Sequence, residues 1–429
     1  MSYRLVKLTT HYPLYLDDFC RRFPHRDSIG YEAAAAQLHA DAFAWADFYA
    51  RNLRTLGVEA HELVANAEWL QAAWAREHGR SETGDALVLR QLEVLRPDVL
   101  FIQDIFRFGG DFIRELRERA LGIQLVLGWC CSPYGDAHVS ALRACDALLT
   151  CTPGFVDEFR TLGRPAFLLN HAFEATLLKT LPSLRDPVAD VVFSGHIVRG
   201  PGWHDVRGRL LEQLVSGGFD LHVFGKLVEE SRGRTRLKQA AWAASRALGA
   251  VGLGRMADQV PALAKARTWS GPPDRARFSP ALRAAVRPPL FGRTMYRTLQ
   301  ASRVGLNVHI DVARRYAGNM RLFECTGAGT CLLTDWKENL GDLFEIDSEI
   351  VAYRSPEECA EKLGWLLAHE AERRVIADRG QARTLRSHTF ALRAVQLDDI
   401  IRGLLGSTSA PRWTGSVANA GARNRRQAE

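Results

Sequence analysis

The stretch Tyr316-Ala317-Gly318-Asn319-Met320-Arg321-Leu322-Phe323-Glu324-Cys325-Thr326-Gly327-Ala328-Gly329-Thr330 decides how this chain is read. One apolar run, Val304 to Ile310, precedes it, and another, Thr330 to Thr334, closes it. That order predicts strand, loop, short helix, strand. In a parallel sheet such a loop lies at the carboxyl edge, where open α/β sheets bind ligands. Free N–H groups at a helix start attract anions. Arg321 beside them has the fork geometry that suits phosphate, and Glu324 one turn on can accept two hydroxyl protons, as a ribose diol offers. The combination describes a cradle for a nucleoside diphosphate. Taken alone, it also fits a plain β-α-β unit in which Arg321 and Glu324 form a surface pair worth tenths of a kcal/mol.

The same alternation continues outward in both directions. Towards the N-terminus, strand-like runs fall at Leu5–Leu8, Val99–Gln103, Gln124–Trp129, Ala147–Cys151 and Ala166–Leu169. Helical stretches separate them, among them Glu32–Leu56, which reads as one long amphipathic helix. A second series begins near Asp190 with Val191–Ser194, helix Asp205–Val215 and Leu221–Phe224, and closes with helices Pro356–His369 and Glu370–His388. Pro182 and Pro187 bracket a polar link between the two series. The chain is therefore expected to be α/β, with two Rossmann-like doubly wound domains facing each other across a cleft. The first spans 1–180 and the second 188–386, with a basic insertion at about 229–294. A C-terminal helix at 387–406 and a disordered tail at 411–429 complete it.

Bulk properties agree. A chain of 429 residues exceeds one ordinary core. Its 47 % apolar and 24 % charged fractions are those of a globular protein. No run approaches the roughly 20 apolar residues a spanning helix needs, and the N-terminus reads as a first strand rather than an export signal. The eight cysteines, at 20, 130, 131, 145, 151, 325, 331 and 359, form no CxxC pair and no zinc-type spacing with histidine. They read as buried free thiols of a cytoplasmic protein.

Residues Tyr296–Leu299 through Asn307-Val308-His309, then Tyr316 to Glu324, then Leu332-Leu333-Thr334-Asp335, resemble the C-terminal half of GT-B glycosyltransferases. Within that class the resemblance points to the group related to the spore-maturation protein CgeB. It extends through Asn339-Leu340, Phe344-Glu345, Glu349–Tyr353 and Arg383–Arg393, covers about 190–225 and 288–402 well, and covers the N-terminal half weakly. It implies that Glu324 binds the ribose of a nucleotide-sugar donor, that the helix start faces the diphosphate, and that no bound metal is required. No Asp-x-Asp motif occurs in the chain. Many relatives carry a Glu-x7-Glu signature whose first member falls at Tyr316 here, which leaves the donor sugar and the stereochemical outcome open.

Other candidates surround this core. Gly195 ends a strand in Ser194-Gly195-His196, followed by Arg199, Arg207 and Arg209, and Lys226 follows the next strand at the donor-side cationic position of such enzymes. With Gly318, Asn319, Arg321 and Glu324 they make the expected donor site. Asp104, His11 and Asp136 are candidates for the base that takes the acceptor's proton, although each residue type is commoner as a cap or turn residue. His171, His309 and Tyr316 are expected to line the cleft. Residues 232–297 hold fourteen Arg or Lys against two acids, Asp258 and Asp274. That stretch fits a solvated insertion, or peripheral contact with the inner face of a membrane near a lipid-linked, glycan or protein acceptor; nucleic acid is not expected. The expectation is glycosyl transfer in cell-surface glycan or glycoconjugate synthesis. A non-catalytic sugar-nucleotide-binding protein and a nucleotide-sugar epimerase or hydrolase remain the alternatives.

Overall fold

The computed structural model describes residues 2–119, 122–181, 189–198, 205–253, 259–273, 277–310 and 315–406, leaving aside the side chain of residue 27. The linker around Pro182 and Pro187, Arg199 and the 411–429 tail lie outside the described residues.

The first half builds β1 (Arg4–Thr9), α1 (Pro13–Arg22), α2 (Tyr31–Ala40), α3 (Phe48–Thr55), β2 (Glu59–Val64), α4 (Glu68–Glu77) and α5 (Gly84–Leu95). It continues with β3 (Val99–Ile102), α6 (Ile105–Glu118), β4 (Leu125–Trp129), α7 (Asp136–Ala144), β5 (Ala147–Thr150), α8 (Pro153–Thr161) and β6 (Ala166–Leu168). The six strands pair in parallel in the order β2-β1-β3-β4-β5-β6. Helices cover both faces, so β3, β4 and β5 are buried throughout, as the apolar runs foretell.

The second half repeats the design. It contains β7 (Ala189–Ser194), β8 (Ile197–Val198), α9 (Asp205–Ser216), β9 (Leu221–Phe224), β10 (Leu227–Val228) and the basic segment α10 (Arg232–Ala250), α11 (Pro261–Arg267) and α12 (Pro280–Ala285). Then follow β11 (Val286–Arg287), α13 (Gly292–Gln300), β12 (Ser302–Asn307), α14 (Arg321–Gly327), β13 (Cys331–Asp335), α15 (Leu340–Leu343) and β14 (Val351–Tyr353). Its parallel order is β11-β9-β7-β12-β13-β14, so β7 and β12 are central and their carboxyl ends lie side by side. Helices α16 (Pro356–Ala368), α17 (Glu370–Ser387) and α18 (Phe390–Gly406) close the chain.

The last helix packs on the first domain. Phe390 meets Phe48 and Tyr49 at ring distances of 5.0 and 5.2 Å, and the Tyr3 hydroxyl donates to Asp398 at 2.7 Å. The largest apolar core runs without a break from Trp45 and Phe101 through Phe173 to Phe323 and Leu397.

The expected single helix over Glu32–Leu56 is two helices. Asp41 is withdrawn from solvent by both Arg22 guanidinium nitrogens at 2.8 and 2.7 Å, while its carbonyl accepts from the Arg293 amide at 2.7 Å. Ala42, Ala44 and Ala46 take φ values of 59, 53 and 39° to make the turn. Each left-handed residue costs about 1–2 kcal/mol. Burial of Trp45, Phe48 and Tyr49 in the core offsets that cost.

Candidate functional site

The 315–320 loop is held by side chains that accept and donate in pairs. The Asn319 amide donates to Asn307 Oδ1 at 2.7 Å and Asn307 donates back at 3.3 Å and to Thr334 Oγ1 at 2.9 Å. Asn339 clamps the Ala317 backbone from both sides, accepting from its N–H at 2.7 Å and donating to its carbonyl at 2.9 Å. Asn319 therefore anchors the loop to β12 rather than presenting a free amide. Asn339 is a site-forming residue whose role only the folded loop reveals. Gly318 is required sterically: a Cβ there would stand 2.9 Å from the Cys151 carbonyl. Tyr316 packs over Gly154 at the start of α8, so the loop rests on the first domain.

Arg321 and Glu324 are brought together. Arg321 Nη1 lies 3.0 Å from Glu324 Oε2, and Nη2 donates to Ser194 Oγ at 3.4 Å, tying α14 to the end of β7. Glu324 Oε1 has only a long contact, 3.5 Å, from the buried Tyr296 hydroxyl. One oxygen is thus occupied and the other keeps its capacity to accept. The surface pair of the plain β-α-β reading is absent, since the Glu324 side chain is 5 % exposed. Helix α14 has seven residues, so side-chain charge rather than a long helix dipole sets the local potential.

Positive charge gathers at this edge. Arg207 on α9 reaches across the 195–196 loop, donating to Val308 O at 3.0 Å and His196 O at 3.4 Å. It forms no ion pair with any described residue. Burial pushes its guanidinium down to about 10, against the attraction of Asp335 and with the repulsion of Arg321. His196 is likewise lowered by burial and by Arg207 and Lys226. Arg207, Arg321 and Lys226 thus bring three cations to one sheet edge, with the His196 ring kept neutral among them, a setting that suits an anion. Lys226 is exposed. Gly195 donates its N–H to Phe224 O at 3.0 Å, but the position that demands glycine is Gly225, whose Cβ would overlap the Gly195 carbonyl at 2.1 Å. Arg207 was one of several arginines in the sequence, and Arg209 two residues on is exposed and paired with Asp205.

His309 follows β12 and is buried. Burial would push the Asp335 carboxyl up, but His309 and Lys337 outweigh it and hold it at about 2. An ionised Asp335 makes His309 Nδ1 the donor of their 2.7 Å bond. Nε2 is buried and has no partner among the described residues.

Across the cleft, Asp104 caps α6 by accepting from the Arg107 amide at 3.3 Å, and the Thr10 hydroxyl donates to its other oxygen. It remains half-buried at the carboxyl edge of β3. His11 is packed edge-on between Tyr15 and Phe43, and burial followed by the charges of Lys7 and His39 takes its ring down to about 3. A base so weak and so enclosed is a core residue. Asp136 is exposed in the first turn of α7 and serves the helix end. His171 is buried and accepts from the Trp45 indole at 3.0 Å. Tyr12 is a cleft residue the sequence did not single out. It is 65 % exposed, yet desolvation of its hydroxyl, then Cys131, Asp104 and Glu324, push its phenol up. It stands between the two walls.

This architecture is that of GT-B glycosyltransferases. An alpha-glucosyltransferase solved with UDP-glucose and DNA containing an abasic site superposes with a TM-score of 0.54 at 11 % identity, covering 94 % of this chain and 100 % of its own. HepE of Anabaena, solved with UDP and glucose, gives 0.50 at 10 % identity over 94 % and 100 % of the two chains. A glycosyltransferase of Rickettsia africae gives 0.50 at 8 % identity over 95 % and 100 %. Residues 207–399, which include Arg207, His309, Arg321 and Glu324, match the model of a family described as glycosyl transferase-like. Among curated proteins none matches the chain. No described helix is long and apolar enough to cross a membrane.

Proposed function

We propose that the chain is a glycosyltransferase that moves a sugar from a nucleotide-diphosphate donor to an acceptor held by the first domain. The observation that carries this reading is the crowding of Arg207, Arg321, Lys226 and His196 beside the buried carboxylate of Glu324. The diphosphate would lie over the cations, and Glu324 Oε1 would accept from the ribose. The family match over 207–399 and the UDP-sugars bound by solved proteins of the same fold support the donor class. As the diphosphate departs, Arg207 and Arg321 offset its growing charge, so in this proposal a metal ion is dispensable. His309 Nε2 would hydrogen-bond a hydroxyl of the donor sugar. Asp104, oriented by Thr10, would take the acceptor's proton.

For the acceptor we propose an envelope glycan, lipid-linked saccharide or glycoprotein reached at the inner face of a membrane. The basic segment supports it: α10 and its surroundings expose Leu237 at 73 % and Val251 at 68 % among arginines, the pattern of an interfacial helix. The CgeB-related group is the assignment we favour within the fold, on the Tyr316–Glu324 residues.

A thermal-shift and calorimetric screen of nucleoside diphosphates, followed by turnover of the matching nucleotide sugars on an acceptor panel, tests the reading. Binding of at least one diphosphate in the micromolar range is expected. Failure to bind any of them would remove the donor site, and a changed sugar without an acceptor would show an epimerase.

A further inference from the structure

Cys131, Cys151 and His171 are far apart in sequence and meet at the carboxyl edge of the first sheet. Strands β4 and β5 place Trp129 opposite Leu149, and the ladder continues through the Cys130 amide to Leu149 O at 3.0 Å. Two residues further along each strand, on the same face, Cys131 and Cys151 come opposite each other. Neighbouring strands lie about 4.8 Å apart, inside the Cα separation of about 4.4–6.8 Å that a disulfide spans. The two sulfurs and a ring nitrogen of His171 all lie within 4.8 Å of one another. Cys151 is buried, whereas Cys131 is half-buried and near enough to the Tyr12 phenol to help raise its pKa.

Exposure separates the two thiols, since Cys131 is half-buried and Cys151 buried. Because His171 Nδ1 accepts from Trp45, its proton sits on Nε2, and the ring is a donor on its other side. The neighbouring Cys151, and after it His171, hold Cys131 well below the ordinary thiol range against burial, while Cys131 and burial push Cys151 up. Two sulfurs this close, the more accessible one at Cys131, make the arrangement of an attacking and a resolving cysteine. The Trp45 bond also argues against a metal, which would need the lone pair of Nε2 and would force Nδ1–H against the indole N–H.

We propose that Cys131 and Cys151 form an oxidisable dithiol, closed by a hydroperoxide, that controls the footing of the donor loop. The Cys131 thiolate attacks the peroxide, giving a sulfenic acid and, after protonation, one water or alcohol. Cys151 attacks that sulfur, the S–S bond forms, and the hydroxyl leaves with the Cys151 proton as a second water. Two electrons pass from the thiols to the peroxide. A Cβ on Gly318 would stand 3.2 Å from Cys151 Sγ, so the loop rests on the sulfur that must turn towards Cys131. The disulfide stands without any functional assignment; its effect on ligand binding rests on the donor-site reading.

The full-length chain treated with hydrogen peroxide is expected to lose two hydrogens by intact mass, with Cys131 and Cys151 linked in the peptide map. The Cys151→Ser chain should instead trap a sulfenic acid on Cys131 with dimedone. Affinity for UDP, measured before oxidation, after it and after dithiothreitol, should fall about fivefold or more and recover. Absence of the linkage overturns the proposal. So does one zinc per chain held by thiols that peroxide does not touch, which would make the cluster a metal site. A disulfide that leaves UDP affinity unchanged overturns the control of the loop. A disulfide in a chain that binds no nucleoside diphosphate, reduced or oxidised, overturns the control and the donor reading while the dithiol stands.

Discussion

Arg321 and Glu324 are ion-paired at 3.0 Å within the first turn of α14, with side chains 17 and 5 % exposed, where the helix follows the 315–320 loop and meets Ser194 at the end of β7. Breaking such a pair leaves a buried charge without its counter-ion, at a cost of about 3–5 kcal/mol. Glu324→Gln keeps the shape and removes the charge. It should bind UDP at least about tenfold more weakly by calorimetry, because a neutral amide is a poorer acceptor for a diol. Glu324→Ala should also lower the melting temperature. Retained affinity in Glu324→Gln would sink the ribose assignment.

Arg207→Met retains the stem and removes a cation that burial disfavours by more than the attraction of Asp335 restores. In the absence of ligand this variant should be as stable as the parent or more so, while UDP affinity falls about tenfold to a hundredfold and its salt dependence weakens. Arg209→Met, two residues away on the exposed face, is the control. Equal losses in both variants would show general electrostatics instead of a site.

Asp104 separates structural from chemical roles cleanly. Asparagine caps a helix as well as aspartate does, so Asp104→Asn should melt within about 0.5 kcal/mol of the parent. If Asp104 is the base, kcat should fall at least about a hundredfold with donor KM unchanged. Unaltered turnover would return Asp104 to its cap.

Acid should loosen the seam where α18 begins. His388 donates from Nε2 to Leu343 O at 2.9 Å and accepts on Nδ1 from Arg393 at 3.0 Å, so it must be neutral. Burial is the main cause of its lowered pKa, about 4. The unfolded chain takes up this proton near pH 6.5 and the folded chain only near 4, so the unfolded form binds more protons in between. Stability contributed by the neutral ring is therefore complete above about pH 6.5 and is lost as pH falls towards 4. The melting temperature should drop across that window, and less so in His388→Gln. An identical drop in the variant would assign the effect to other groups.

The strand–loop–helix–strand unit from β12 to β13 was legible because its signals are local: two apolar runs, a glycine turn, and Arg321 and Glu324 one turn apart. What escaped depends on distant partners. Strand β2, Glu59–Val64, alternates charges with apolar residues and did not read as interior, yet Glu62 stands directly opposite Lys7 and the two are buried as an ion pair. The break between α2 and α3 is made by Arg22 and the Arg293 amide, neither visible in a window of helical periodicity. Arg207 resembles its neighbours until β12 places Val308 beneath it. The thiol cluster shows no motif spacing because strand register, not sequence distance, brings its members together.

The return of α18 to the first domain has a consequence during synthesis. Phe390, Leu397 and Ile401 complete a core whose other members lie as early as Tyr3 and Phe48. Roughly two hundred residues intervene between the end of the first domain and that helix, so at about 5–20 residues per second the nascent domain waits tens of seconds with an apolar face uncovered. A ribosome-bound chain halted after residue 387 should therefore be more easily cleaved by protease around α3 than the released protein.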